Sequence, residues 1–128
     1  MPKAALSFET VREMALSLTD VVEATSYGSP ALKIHGNLLA CVPVNRSAEP
    51  NSAVFSIDLG LRATLLRSKP DIYYITDHYA AYPTVLVRLS NIGRNELREL
   101  LGMAWSFVST KKTARGPKAK AKAIPRRR

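Results

Sequence analysis

Ala31-Leu32-Lys33-Ile34-His35-Gly36-Asn37-Leu38-Leu39-Ala40-Cys41-Val42 is the stretch on which the fold turns. Leu32 and Ile34 alternate with Lys33 and His35, the period-two pattern of a strand with one buried face. The alternation breaks at Gly36-Asn37 and an apolar run then continues to Val42. The stretch therefore predicts a tight β-hairpin crossing at Gly36-Asn37. Hairpin connections make antiparallel pairs, which sets the type of sheet before any other element is placed.

On the N-terminal side, Phe8, Val11, Ala15 and Leu18 recur at helical spacing behind Ser7 as N-cap, with Glu9 near the positive helix end. Tyr27-Gly28-Ser29-Pro30 interrupts that pattern. Beyond the hairpin, Pro43 ends the second arm, residues 45–52 form a polar loop, and residues 53–57 predict a third strand. Asp58 is placed to cap a short helix carrying Leu61, Leu65 and Leu66, which Pro70 stops because proline cannot continue the ladder. Residues 72–76 and 84–89 predict two further strands, rich in aromatic and β-branched side chains and joined by a loop over 77–83. Leu97, Leu100, Leu101, Ala104 and Val108 give a full apolar stripe with Glu96 in the first turn, the pattern of an amphipathic helix. The order of elements predicts an α+β domain over residues 1–110, an antiparallel sheet covered by helices.

The 128 residues carry a net charge of +9, and its location matters more than its size. Within residues 1–110, Lys3, Arg12, Lys33, Arg46, Arg62, Arg67, Lys69, Arg88, Arg94 and Arg98 are matched by ten acids. The other nine bases, Lys111, Lys112, Arg115, Lys118, Lys120, Lys122, Arg126, Arg127 and Arg128, meet no acid. Residues 111–128 thus hold the whole excess. Dominated by Lys, Arg, Ala, Pro and Gly, they cannot bury a core, and an extended arm is expected. Pro117-Lys118-Ala119-Lys120-Ala121-Lys122-Ala123 is similar to the Lys/Ala/Pro arms of linker histones and bacterial histone-like proteins. Closely spaced cations release condensed counterions from a polyanion and bind it without a folded site. The competing reading is a solubilising tail. An anionic membrane surface is a weaker candidate, because a polybasic stretch alone anchors poorly without a lipid or an amphipathic helix.

Other features carry less. Asp77-His78 could orient an imidazole, but neighbours in an extended segment point to opposite sides, and no nucleophile is indicated nearby. Tyr73, Tyr74, Tyr79 and Tyr82 could stack unpaired bases, although strand packing with solvent-facing hydroxyls explains them as well. Lys33 and His35 share one face of the hairpin and could meet phosphate, or simply form the polar face of a half-buried strand. Cys41, the sole cysteine, reads as a small packed apolar residue and excludes an intramolecular disulfide or a cysteine-based metal cluster. Neither a phosphate-cradling loop, a dinucleotide fingerprint nor a metal-ligand pattern is present, so no cofactor or metal and no catalytic residue is expected. With no apolar run long enough to span a membrane and no secretory signal, the expected setting is the cytoplasm.

Three blocks together resemble the MmcQ/YjbR family. They are Ser26-Tyr27-Gly28-Ser29-Pro30-Ala31 leading into Ile34-His35-Gly36-Asn37; Thr76-Asp77-His78-Tyr79-Ala80-Ala81-Tyr82-Pro83 running into Val85-Leu86-Val87-Arg88-Leu89; and Glu96-Leu97-Arg98-Glu99-Leu100-Leu101 with Ala104-Trp105. The resemblance covers about residues 7–110. It implies a compact α+β domain with two hairpin wings and the DNA-binding role usually given to that shape. One wing would be the hairpin at Gly36-Asn37, presenting Lys33. The other would be the pair within residues 72–89, presenting Arg88. Asn37 stands where lysine is frequent in the family, which shifts the expected charge contact from wing to tail. The sequence therefore predicts a non-enzymatic DNA-binding protein, nonspecific or weakly specific, with RNA as a second polyanion. The alternative is a protein-binding or chaperone-like module with a solubilising tail.

Overall fold

The computed structural model describes residues 6–110, which form a six-stranded, wholly antiparallel sheet with four helices, the α+β class expected. Chain order is α1 (Phe8–Leu16), β1 (Val21–Ser26), β2 (Ser29–Ile34), β3 (Asn37–Cys41), β4 (Ser52–Ser56), α2 (Leu59–Ser68), β5 (Tyr73–Tyr74), α3 (Asp77–Ala80), β6 (Thr84–Arg88) and α4 (Arg94–Ser109). Across the sheet the strands run β1-β2-β3-β4-β6-β5.

The first three strands are joined by two successive two-residue turns. Ser26 pairs with Ser29 around Tyr27-Gly28, and Ile34 pairs with Asn37 around His35-Gly36. All four turn residues have positive φ, between 51° and 85°, the signature of type I′ turns whose twist matches the flanking strands. The crossing thus lies at His35-Gly36, one residue before the expected position, and Asn37 already belongs to β3. The strand β1 is an addition to the sequence reading. Its residues Val22, Glu23 and Thr25 are solvent-accessible on an edge, so no clean alternation marks it. A register shift between Leu32 and Lys33 places both Leu39 and Ala40 against the main core.

Strand alternation divides the sheet into two faces. Leu32, Ile34, Ala53, Phe55, Tyr73, Val85 and Val87 point to the side covered by α1, α2 and α4, where they meet Val11, Ala15, Leu65, Leu97, Leu100, Leu101, Ala104 and Val108. All five residues of the expected α4 stripe are buried. Asp58 caps α2 as anticipated, accepting from the Leu61 amide at 3.1 Å. Ser7 stands at the N-cap of α1, but its side chain makes no capping bond. The Trp105 indole donates to the Thr19 carbonyl at 2.9 Å, tying α4 to the α1–β1 connection.

On the opposite face Ala31, Cys41, Val54, Tyr79 and Leu86 form a second, smaller cluster. Its cover includes the four-residue helix α3, which replaces the plain loop expected between β5 and β6. The strand β5 is correspondingly short, two residues in place of five. No helix among the described residues is long and apolar enough to cross a membrane.

Candidate functional site

The face with the smaller cluster holds a cleft of about 590 Å³, within the range of small-molecule sites. Its floor comes from the central strands: Leu38 and Cys41 of β3, on either side of the bulge, Val54 and Ser56 of β4, and Thr84 of β6. One wall is the segment Val42–Asn45 that follows β3. The other is α3 with the residues after it, which supply His78, Tyr79, Tyr82 and Pro83, and Tyr27 stands at the mouth from the first turn.

These walls are pinned by specific bonds. The Tyr79 hydroxyl accepts from the Asn45 amide at 3.2 Å, so the helix side holds the loop side. The Ser29 hydroxyl donates to the Val42 carbonyl at 3.0 Å, and the Thr84 hydroxyl to the Tyr79 carbonyl at 3.1 Å. Arg62 reaches over from α2 and donates to the carbonyls of Tyr82 and Thr84 at 2.9 and 3.1 Å, fixing the turn into β6. The His78 ring meets Tyr79 edge-on at 4.7 Å between centroids.

The lining of the cleft includes no Lys, Arg, Asp or Glu side chain. Burial pushes the Cys41 thiol up to about 11, against a small opposing effect of the Lys33 charge. Near neutral pH it is therefore a thiol and a poor nucleophile. Four polar side chains are buried in the described domain: Ser29, Ser52, Ser56 and Thr84. Ser29 and Thr84 donate to carbonyls, and Ser52 shares a 2.6 Å bond with the Tyr74 hydroxyl. Ser56 Oγ, 6% exposed and lining the cleft, has no hydrogen-bond partner among the described residues.

The two body residues expected at phosphate differ in their surroundings. Arg88 is committed within the fold. Its Nε and Nη2 donate to the two oxygens of Glu49, each at 2.8 Å, and its Nη1 donates to the Pro70 carbonyl at 2.9 Å. Its guanidinium also lies 4.4 Å from the Tyr74 ring centroid. The bidentate bond from Arg88 holds the Glu49 carboxyl below its ordinary value. Lys33 is half-buried on the cleft side of β2. The nine bases from Lys111 to Arg128 lie outside the described residues.

The tyrosines are not aligned as a stacking strip, nor do most of their hydroxyls face solvent. Tyr73 is buried on the helix side and donates to Glu96 at 3.1 Å, the carboxylate that also receives Lys69 at 2.9 Å. The Tyr74 hydroxyl accepts from the Glu49 amide at 2.7 Å. Of the four, Tyr82 is the one with a largely exposed ring, 55% accessible at the cleft mouth. Asp77 and His78 lie in a helical turn, so the extended geometry assumed for them does not apply. His35 sits in its turn with Nε2 3.3 Å from Asp20. The cleft itself had no sequence signature: four separated segments build it, and its useful feature is a lack of charge.

No family model matches the chain. Over 54 residues it is 39% identical to an uncharacterised protein of Mycobacterium bovis and to uncharacterised proteins of two Mycobacterium tuberculosis strains. That segment covers 42% of this chain and 42% of each relative, so the chain matches less than half the length of the curated relatives.

Proposed function

We propose that the protein is a non-enzymatic, cytoplasmic DNA-binding protein of the MmcQ/YjbR type, with little sequence preference, whose affinity comes from the basic segment over residues 111–128. The observation that carries this reading is the segregation of charge: nine bases without an acid follow a body whose bases and acids balance. The state of four body cations supports it. Arg12, Lys69 and Arg88 are each paired with carboxylates, and Arg62 is spent on backbone carbonyls. Those four of the body's ten cations offer a polyanion little, and we assign the duplex to the nine bases of the tail, leaving the body to orient the complex.

The test is a salt series on the full chain with unrelated duplexes. With about six of the tail bases on phosphates, log K falls against log salt with a slope of roughly −5. Changing Lys118, Lys120 and Lys122 together to Gln lowers that slope by about 2.7 for every duplex alike. Lys33→Gln changes it by at most about 1. Absence of binding at low salt ends the proposal. A sequence preference that a Lys33 change abolishes, with an unaltered slope in the triple tail variant, would place recognition in the folded body.

A further inference from the structure

The cleft has features that a packed sheet does not require. Ser56 Oγ is the first. A buried hydroxyl left without a partner costs about 1–3 kcal/mol, and the other three buried polar side chains of the domain avoid that cost by bonding within the protein. Ser56 lies on the cleft floor beside Val54 and Thr84, so a group entering the cleft can satisfy it. The second feature is the mouth. Tyr27 and Tyr82, 92% and 55% exposed, leave aromatic surface in water beside His78, Pro43 and Pro83, where a flat ring finds faces to lie against. The third is the absence of Lys, Arg, Asp and Glu from the lining, so an ionised ligand would lose hydration without a directly paired Lys or Arg counter-charge.

We infer that this cleft binds a small, uncharged, planar heterocycle of nucleobase or indole type, seated against the rings at the mouth with one polar edge hydrogen-bonded to Ser56 Oγ. The ring supplies apolar area and a stacking face, and its polar edge answers the unpaired hydroxyl. Simple aliphatic ligands fill the volume without meeting Ser56. Carboxylates meet Ser56 but carry charge into a lining with no Lys or Arg to pair it.

The test uses the full chain, with adenosine and indole as probes and benzoate as the charged planar control, followed by amide chemical shifts. The expected result is saturable shifts at Leu38, Cys41, Val54 and Ser56 with one or both probes, and binding of benzoate at least tenfold weaker. Which of the two probes binds tells a nucleoside from a simple fused ring. Ser56→Ala weakens binding by roughly three- to tenfold, while the variant remains folded because it deletes an unsatisfied group. Tyr82→Ala, at an exposed position, weakens it by about fivefold or more. Shifts that do not saturate at millimolar probe, shifts centred on the helix-covered side, or an affinity unchanged in Ser56→Ala overturn the inference. None of these outcomes depends on whether the tail binds DNA.

Discussion

Leu101→Ala tests the packing that holds the sheet in shape. Leu101 is 2% exposed and belongs to the core cluster with Leu97, Leu100 and Ala104 on α4 and Phe55, Ala53 and Leu39 on the sheet. Truncation removes three buried carbons, about 2.4 kcal/mol at roughly 0.8 kcal/mol each. Strands flanked on both sides cannot close fully over the gap, and a residual cavity of roughly 50 Å³ adds about 1 kcal/mol. Helix propensity hardly changes, since Leu and Ala both favour helix. The expected loss is thus about 3.5 kcal/mol, inside the usual range of about 2–5 for this substitution. Urea denaturation measures it directly, and a thermal scan should show a fall of roughly 15–25 °C for a domain of this size. Ser106→Ala, on the exposed side of the same helix, should stay within about 0.5 kcal/mol. A Leu101→Ala loss as small as that control would refute the placement of α4 against the sheet.

Gly28→Ala should cost about 1–2 kcal/mol from backbone strain alone, since Gly28 has φ +79° and an added Cβ meets nothing within 4 Å. Gly102→Ala on α4, equally unobstructed but helical, should stabilise by about 0.5–1 kcal/mol; equal signs in denaturant midpoints would contradict the turn. For Glu49, the bond from Arg88 depresses the folded carboxyl below its ordinary 4.5, so its contribution is full well above that value and disappears as pH falls through the folded one. The stability advantage of the native chain over Glu49→Gln should therefore hold from neutral pH to about 5.5 and shrink below it. A gap that widens on acidification would show that the Arg88 bond does not govern this carboxyl.

The elements legible in the sequence were those that repeat. Leu97 to Val108 covers three turns of helix with one face buried, and no other local structure fits that spacing. Asp58 was recognisable because its capping partner is three residues away. Legibility fell wherever the deciding partner was distant. Arg88 reads as an exposed cation on an outer strand position, and only the fold brings Glu49, 39 residues earlier, into a bidentate bond along one edge of its guanidinium. The helix α3 is too short to display a period, and its main tie, Tyr79 to the Asn45 amide, spans 34 residues. The edge strand β1 carries Glu23 and Thr25 among its accessible positions, so its pairing with β2 through the Tyr27-Gly28 turn reveals it and its hydropathy does not.

Charge and shape are kept apart in this chain, and that separation has a thermodynamic consequence. Counterion release makes any contact through the basic segment fall steeply with salt. Binding in a cleft whose lining has no Lys, Arg, Asp or Glu would depend on apolar area, stacking and one hydroxyl, which moderate salt hardly affects. Mixing the two, for example by placing Arg88 in the cleft, would tie ring binding to ionic strength and allow anions to compete for the site. The fold prevents that by holding Arg88 between Glu49, the Pro70 carbonyl and the Tyr74 ring at the far end of β6 from Thr84. If both proposals hold, ring recognition and phosphate attraction can be strengthened or lost independently, since no Lys, Arg, Asp or Glu side chain lines the cleft.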